Sequence, residues 1–269
     1  DKIRKTNGYI VIGNQKNLTV AGSGNTELLF DRPLPGVSCI KLGACDNVTV
    51  KDLFIDYKMR PFTQGTITEI NAQEGSVVLQ SDDPEAAMPG MAHFRRGHMW
   101  SFTPEGTFQW EHGFFMMKKA EEAGPLAVRY FFGDDRGGNF NPVPLSAGRE
   151  AVRKLRPGMK MVHVSRVHGG GVQLDFCRFS TIENVTVYAS QAMAFLDTNG
   201  YADSFISCNI RRRPGRMIST NGDGFHLASP LFGSAVVNCR GEYLYDDGLN
   251  TYSRHALVGQ QLLSGGWSV

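Results

Sequence analysis

The chain has 269 residues, 41% of them hydrophobic, and a formal net charge of +2 at pH 7. That composition supports a real core and excludes a disordered chain. The balanced charge offers no bulk field for nucleic acid or an anionic membrane. No apolar run approaches the ~18–20 residues of a spanning helix, so neither nucleic acid nor membrane is an expected partner.

The chain opens on a polar stretch, DKIRKTNGY, as a mature secreted protein or a trimmed chain would. The expected location is secreted or periplasmic. NLTVAG at 17–22 then returns as NVTVKD at 47–52 and NVTVYA at 184–189. The first three residues of each fit a glycosylation pattern, but their repetition reads better as an asparagine ladder at turns.

Between about 60 and 160 the repeat disappears, and Met, Phe, Trp and charge increase. This segment predicts an inserted antiparallel β-barrel-like subdomain. Only MMKKAEEAG (116–124) and SAGREAVRKLRPG (146–158) have helix-like composition. His93, His98, Trp100, Trp110 and His112 are candidates for a sugar-facing surface, although a small barrel also needs a core. GDDRGG at 133–138 matches no calcium motif and reads as a turn. HGGG at 168–171 has no accompanying G-x-S-x-G, so it does not read as an esterase oxyanion phrase.

The repeat resumes as two interleaved series. One is NVTVY at 184, SFISC at 204 and SAVVNC at 234; the other is AFLDTN at 194, GFHLAS at 224 and GLNTYS at 248. Each pair predicts one coil of strand, turn, strand and loop, and stacked coils bury a continuous inner column. The expected fold is therefore all-β: a right-handed parallel β-helix over 1–59 and 161–269, with the barrel-like insertion at 60–160. Later coils are expected beyond Val269. The five cysteines, 39, 45, 177, 208 and 239, are odd in number and dispersed, and read as buried small hydrophobes. Cys208 and Cys239 occupy equivalent repeat positions and are expected to stack inside.

The second series carries the chemistry. Asp223 precedes GFHLAS, and Asp246–Asp247 precede GLNTYS. Equivalent positions on consecutive coils bring these acids together, although an Asp-Gly pair on its own is usually just a turn. Close carboxylates of opposed protonation are what glycoside hydrolysis needs, one giving a proton to the leaving oxygen and another taking one from water. A separation of ~6.5–9.5 Å would give inversion. His226 and Asn250, in the aligned strands, are candidates for substrate contact. So are Asp197 and Asn199 one coil earlier, Arg213 and Arg216 in the long loop before Asp223, and Gln64. No metal or cofactor is required.

The stretch from SQAMAFLDTNGYADSF through RRRPGRMISTNGDGFHLAS to GEYLYDDGLNTYSR resembles glycoside hydrolase family 110, the exo-acting α-1,3-galactosidases. RPFTQGTIT at 60–68 resembles that family's approach to its barrel. The resemblance is clear over about 180–254, thinner at 47–68 and nearly absent in the insertion. It implies an inverting β-helix enzyme with Asp223, Asp246 and Asp247 as catalytic carboxylates, acting on a terminal α-galactoside or related sugar. The sequence departs at 251–253, where Thr-Tyr-Ser replaces the family's His-Gly, and NGDGFHLAS replaces an alanine-rich version. A more distant likeness is to polygalacturonases, whose Gly-His-Gly and Arg-Ile-Lys phrases do not occur here. A polysaccharide lyase and a non-catalytic carbohydrate-binding β-helix remain the alternatives. The expected partner is an oligosaccharide or polysaccharide, with homodimerisation through the insertion a further possibility.

Overall fold

Each apolar run is too short to bury its face alone, and the chain answers by laying successive runs in parallel. The computed structural model describes residues 8–83, 97–133, 145–164 and 168–253, with 145–147 by backbone alone. The first coil is β1 (Gly8–Gly13) and β2 (Lys16–Phe30); the second is β3 (Ser38–Gly43) and β4 (Asp46–Tyr57). Six antiparallel strands then close a barrel: β5 (Phe62–Asn71), β6 (Ser76–Ser81), β7 (Gly97–Phe102), β8 (Phe115–Gly124), β9 (Ala127–Phe132) and, after helix α1 (Leu145–Arg153), β10 (Lys160–Val164). The third coil is β11 (Gly170–Asp175) and β12 (Thr181–Val187). The fourth is β13 (Met193–Thr198), β14 (Ser204–Ile206) and β15 (Asn209–Ile210). The fifth is β16 (Phe225–Ala228), β17 (Ala235–Val237) and β18 (Arg240–Gly241), and β19 (Leu249–Tyr252) begins a sixth.

Strands β1, β3, β11, β13, β16 and β19 form one parallel sheet in that order. The remaining coil strands form the second parallel sheet. Between the sheets runs an apolar column that includes Ile40, Val172, Phe195, Phe205 and Phe225. The barrel has its own core, around Leu79, Phe115 and Met161. A third cluster joins the two bodies: Phe62, Phe102, Val162 and Val164 of the barrel meet Met217, Ile218 and Tyr245 of the coils.

Left-handed residues turn the corners, and they too stack. Asn14, Ala44, Phe176, Asn199 and Ser229 all have φ between 50° and 55°. Each of these donates its backbone N–H to the coil above, as from Phe176 to Thr198 O at 2.9 Å and from Asn199 to Ala228 O at 2.9 Å. The asparagine ladder exists, in a different register from the one its repeats suggest. Asn47 Nδ2 donates to Asn17 Oδ1 at 2.8 Å, but Asn184 Nδ2 donates to Asp52 Oδ1 at 2.8 Å, one corner further along. Thr181, not Asn184, is level with Ser204. Similar phrases thus wrap different corners of one coil, because a left-handed corner favours Asn or Asp wherever it falls.

MMKKAEEAG is strand rather than helix. It forms most of β8, which pairs with β7 and β9 and buries Phe115 and Met117 in the barrel. Tertiary pairing overrides the helix propensity of Lys, Glu and Ala. The second helix-like segment does supply α1. The HGGG phrase is a packing device: a Cβ on Gly169 would lie 2.4 Å from Gln191 Nε2, which donates to Leu34 O, Val37 O and His168 O and ties neighbouring turns together. His93 and all of GDDRGG except Gly133 lie outside the described residues. Four cysteines are buried and Cys239 is half-buried; Cys208 N–H donates to Cys239 Sγ at 3.3 Å, so this pair does stack.

Candidate functional site

Two glycines set the position of the acids. Gly224 N–H donates to Asp247 O at 2.8 Å and Phe225 N–H to Gly248 O at 3.1 Å. Neither Gly224 nor Gly248 has a positive φ, so these Asp-Gly pairs are not left-handed turns. A Cβ on Gly224 would instead lie 2.7 Å from Gly248 O and 3.0 Å from Ile210 and Leu244. Glycine lets the two coils approach at this point. Asp223 is thereby stacked level with Asp247, and Asp246 comes one residue earlier.

The carboxylates of Asp223, Asp246 and Asp247 each place one oxygen within 4.8 Å of the other two. Asp223 is buried, at 4% exposure, while Asp246 and Asp247 are exposed. Asp223 Oδ2 meets His226 Nδ1 at 2.5 Å, and the His226 ring stands edge-on to Tyr252 at 5.3 Å. The arrangement therefore has an inner carboxylate held by an imidazole and two outer carboxylates open to solvent. Asn250 lies beside His226 on the next coil, in the outward column Gln173, Leu196, His226, Asn250. The expected alignment of AFLDTN, GFHLAS and GLNTYS is the observed one.

The other candidates are placed elsewhere. Asp197 occupies an inward position between Leu174 and Leu227, 1% exposed. It accepts a hydrogen bond from Ser234 Oγ at 2.5 Å, and burial raises its pKa. It points into the coil, away from the outer cluster. Asn199 is one of the left-handed corner residues. Arg213 and Arg216 both bind Asp56, with Arg213 Nε to Oδ2 at 3.1 Å and Arg216 Nη1 to Oδ1 at 2.6 Å. Arg213 also pairs with Glu27 and lies over the Tyr188 ring at 3.8 Å. Both arginines are thus neutralised on the arginine loop's far anchor rather than by the acid cluster. Gln64 is 1% exposed with its amide fully used: Nε2 donates to Gly215 O at 2.7 Å and Asp82 Oδ2 at 3.1 Å, and Oε1 accepts from Met217 N–H at 2.9 Å. It clips the arginine loop to the barrel.

Three groups were not legible beforehand. Asp56, 3% exposed, is the counter-charge of the arginine loop. Asp203, fully buried, accepts from Ser180 N–H at 2.7 Å, and burial raises its pKa to about 7. Tyr245, the neighbour of Asp246, is buried and stacks on Trp100 of β7 at 4.3 Å. Of the barrel candidates, Trp100 and His98 are half-buried in this contact zone, His112 Nδ1 meets Ser101 Oγ at 2.7 Å, and Trp110 is 79% exposed.

No protein-family model matches the chain. A search of curated proteins finds alpha-1,3-galactosidase B of Bacteroides thetaiotaomicron, 22% identical over a 257-residue alignment that covers 90% of this chain. The match covers 39% of that protein, so the chain spans about two fifths of the relative's length. Among solved structures, the gp54 tailspike of Acinetobacter baumannii bacteriophage AP22, in complex with A. baumannii capsular saccharide, aligns over 90% of this chain and 42% of its own. That alignment has a TM-score of 0.29 and 9% identity, too loose to carry an argument.

Proposed function

We propose that the chain is a glycoside hydrolase that removes a terminal α-galactoside, or a related sugar, with inversion, using Asp223, Asp246 and Asp247. The observation that carries this reading is the convergence of three carboxylates from two coils within 4.8 Å. The 22% identity to alpha-1,3-galactosidase B supports it. Asp246 or Asp247 gives a proton to the glycosidic oxygen as the bond from that oxygen to the anomeric carbon breaks. A water adds to the opposite face of that carbon, and its proton passes to Asp223, acting with the other member of the pair. His226 holds Asp223 in place, and Asn250 and His226 face the sugar. We assign the coils the right-handed sense that parallel crossovers almost always take, the segment 60–160 the role of an inserted unit, and the protein a secreted or periplasmic location.

A second stereochemical reading has an observation in its favour. Nearest oxygens within 4.8 Å are closer than the ~6.5–9.5 Å of an inverting pair and nearer the ~5 Å of a retaining one. The lyase alternative loses two of the arginine loop's candidate bases, because Arg213 and Arg216 are held by Asp56. The deciding experiment is proton NMR of the first sugar released from a panel of terminal α-galactosides. Release of the β-anomer supports inversion, the α-anomer replaces it with retention, and an unsaturated product overturns hydrolysis.

A further inference from the structure

The acid cluster has an aromatic neighbour on its barrel side. Tyr245, adjacent to Asp246 in sequence, stacks on Trp100 at 4.3 Å and 21°. From Trp100 the ring contacts continue to Phe108 at 4.3 Å, Phe114 at 5.7 Å and Trp110 at 6.3 Å. Exposure rises along this path, from 1% at Tyr245 to 58% at Phe114 and 79% at Trp110. Rings this exposed, joined in one cluster, are apolar surface of the kind that marks a binding site. The short turn Trp110–His112 that carries the outer ring is fixed by Gly113 N–H to Trp110 O at 3.1 Å and by the Ser101–His112 contact.

We infer that Trp110 and Phe114 form a stacking shelf for the leaving-group side of the substrate, so that the site takes a carbohydrate of at least two sugar rings. The inference rests on the hydrolase reading. The C–H face of a pyranose is apolar and carries slight positive charge, which suits the negative face of an aromatic ring. Its hydroxyls stay in solvent at an open shelf. Continuity with the acid cluster, through Trp100 and Tyr245, is the reason for placing a sugar here rather than a protein partner. Trp100 and Tyr245 support the shelf from beneath, and only the two exposed rings meet the ligand.

The test uses the full chain with Asp246→Asn, so that substrate persists, and two probes: methyl α-galactoside and galactosyl-α-1,3-galactose. Calorimetry should show the disaccharide binding roughly tenfold or more tightly than the monosaccharide, about 1.4 kcal/mol. Adding Trp110→Ala and Phe114→Ala should remove that margin while leaving monosaccharide affinity and the melting temperature unchanged. A margin that survives the double substitution overturns the shelf, as does an equal loss for both probes. Disaccharide that fails to bind at millimolar concentration also overturns it. If the double substitution leaves the margin intact but turns a dimer into a monomer in sedimentation, the face is a subunit interface and the proposal fails. If the unsubstituted chain releases no sugar while the rings still control disaccharide binding, the shelf stands and the hydrolase reading falls.

Discussion

Acids occupy both faces of the same coils, with opposite treatment. On the outside, Asp223, Asp246 and Asp247 converge, with two of the three open to solvent. On the inside, Asp197 and Asp203 are buried, and one oxygen of each has no hydrogen-bond partner. Burial raises the pKa of both inner acids, so the fold holds them towards the neutral, protonated form. A third buried acid, Asp56, is compensated differently, by two guanidinium groups. Position on the coil thus decides whether a carboxylate opens to solvent, has its pKa raised by burial or carries a salt bridge; residue type alone does not.

The strongest test of that division is activity. Asp223→Asn and Asp246→Asn should each lower kcat by about 10²–10⁴-fold, the range of a lost acid or base. Asp197→Asn and Asp203→Asn should leave it nearly unchanged. Steady-state rates on a terminal α-galactoside check this, and an inner substitution as damaging as an outer one would erase the distinction.

The paired acid should show the next largest effect. Asp56→Ala strips the carboxylate partner from Arg216, whose side chain is 13% exposed, and one of two from half-buried Arg213, which keeps Glu27. Leaving one member of a buried pair alone costs about 3 kcal/mol or more, to be read from urea unfolding.

The inner pair should then show itself through pH. Asp203 titrates at about 7 in the fold against 3.8 as its ordinary value, so between these the folded state binds more protons than the unfolded. Stability is therefore fullest below about pH 4 on this group's account and declines as pH rises towards 7. Asp203→Asn should flatten that slope in thermal melts from pH 4 to 7.

Sequence reading reached the outer cluster because its repeat is carried by glycine and aromatic spacing: Ala194, Gly224 and Gly248 lead strands that do stack in register. It misplaced Asp197 because a strand alternates faces at every residue, and Asp197 has inward parity alongside Phe195 and Leu227. Arg213, Arg216 and Gln64 are residue types suited to sugars, but their partners are far away in sequence. Asp56 lies 157 residues from Arg213, and Met217 lies 153 residues from Gln64. No local pattern exposes such pairings. The barrel's aromatics gave composition without direction, and only the closure of six strands shows which ring faces out.

The smallest predicted effect tests the register on which both faces depend. A slip of one residue would turn each strand's inner face outward, so the corner contacts that pin the coils matter beyond their own strength. The repeated phrases suggest that Asn184 lies over Asn47; the structure pairs it with Asp52 instead. Asn184→Gly keeps the left-handed backbone, which Asn184 adopts at φ 49°, and removes only the side-chain contact. A double-mutant cycle with Asp52→Ala should give a coupling of about 0.5–1 kcal/mol, the worth of one exposed hydrogen bond to a carboxylate. The cycle with Asn47→Ala should give none within error. Coupling to Asn47 instead would mean that the third coil sits one corner out of place on the second, and the stacking that turns Asp197 inward and brings Asp223 level with Asp247 would no longer be fixed from below.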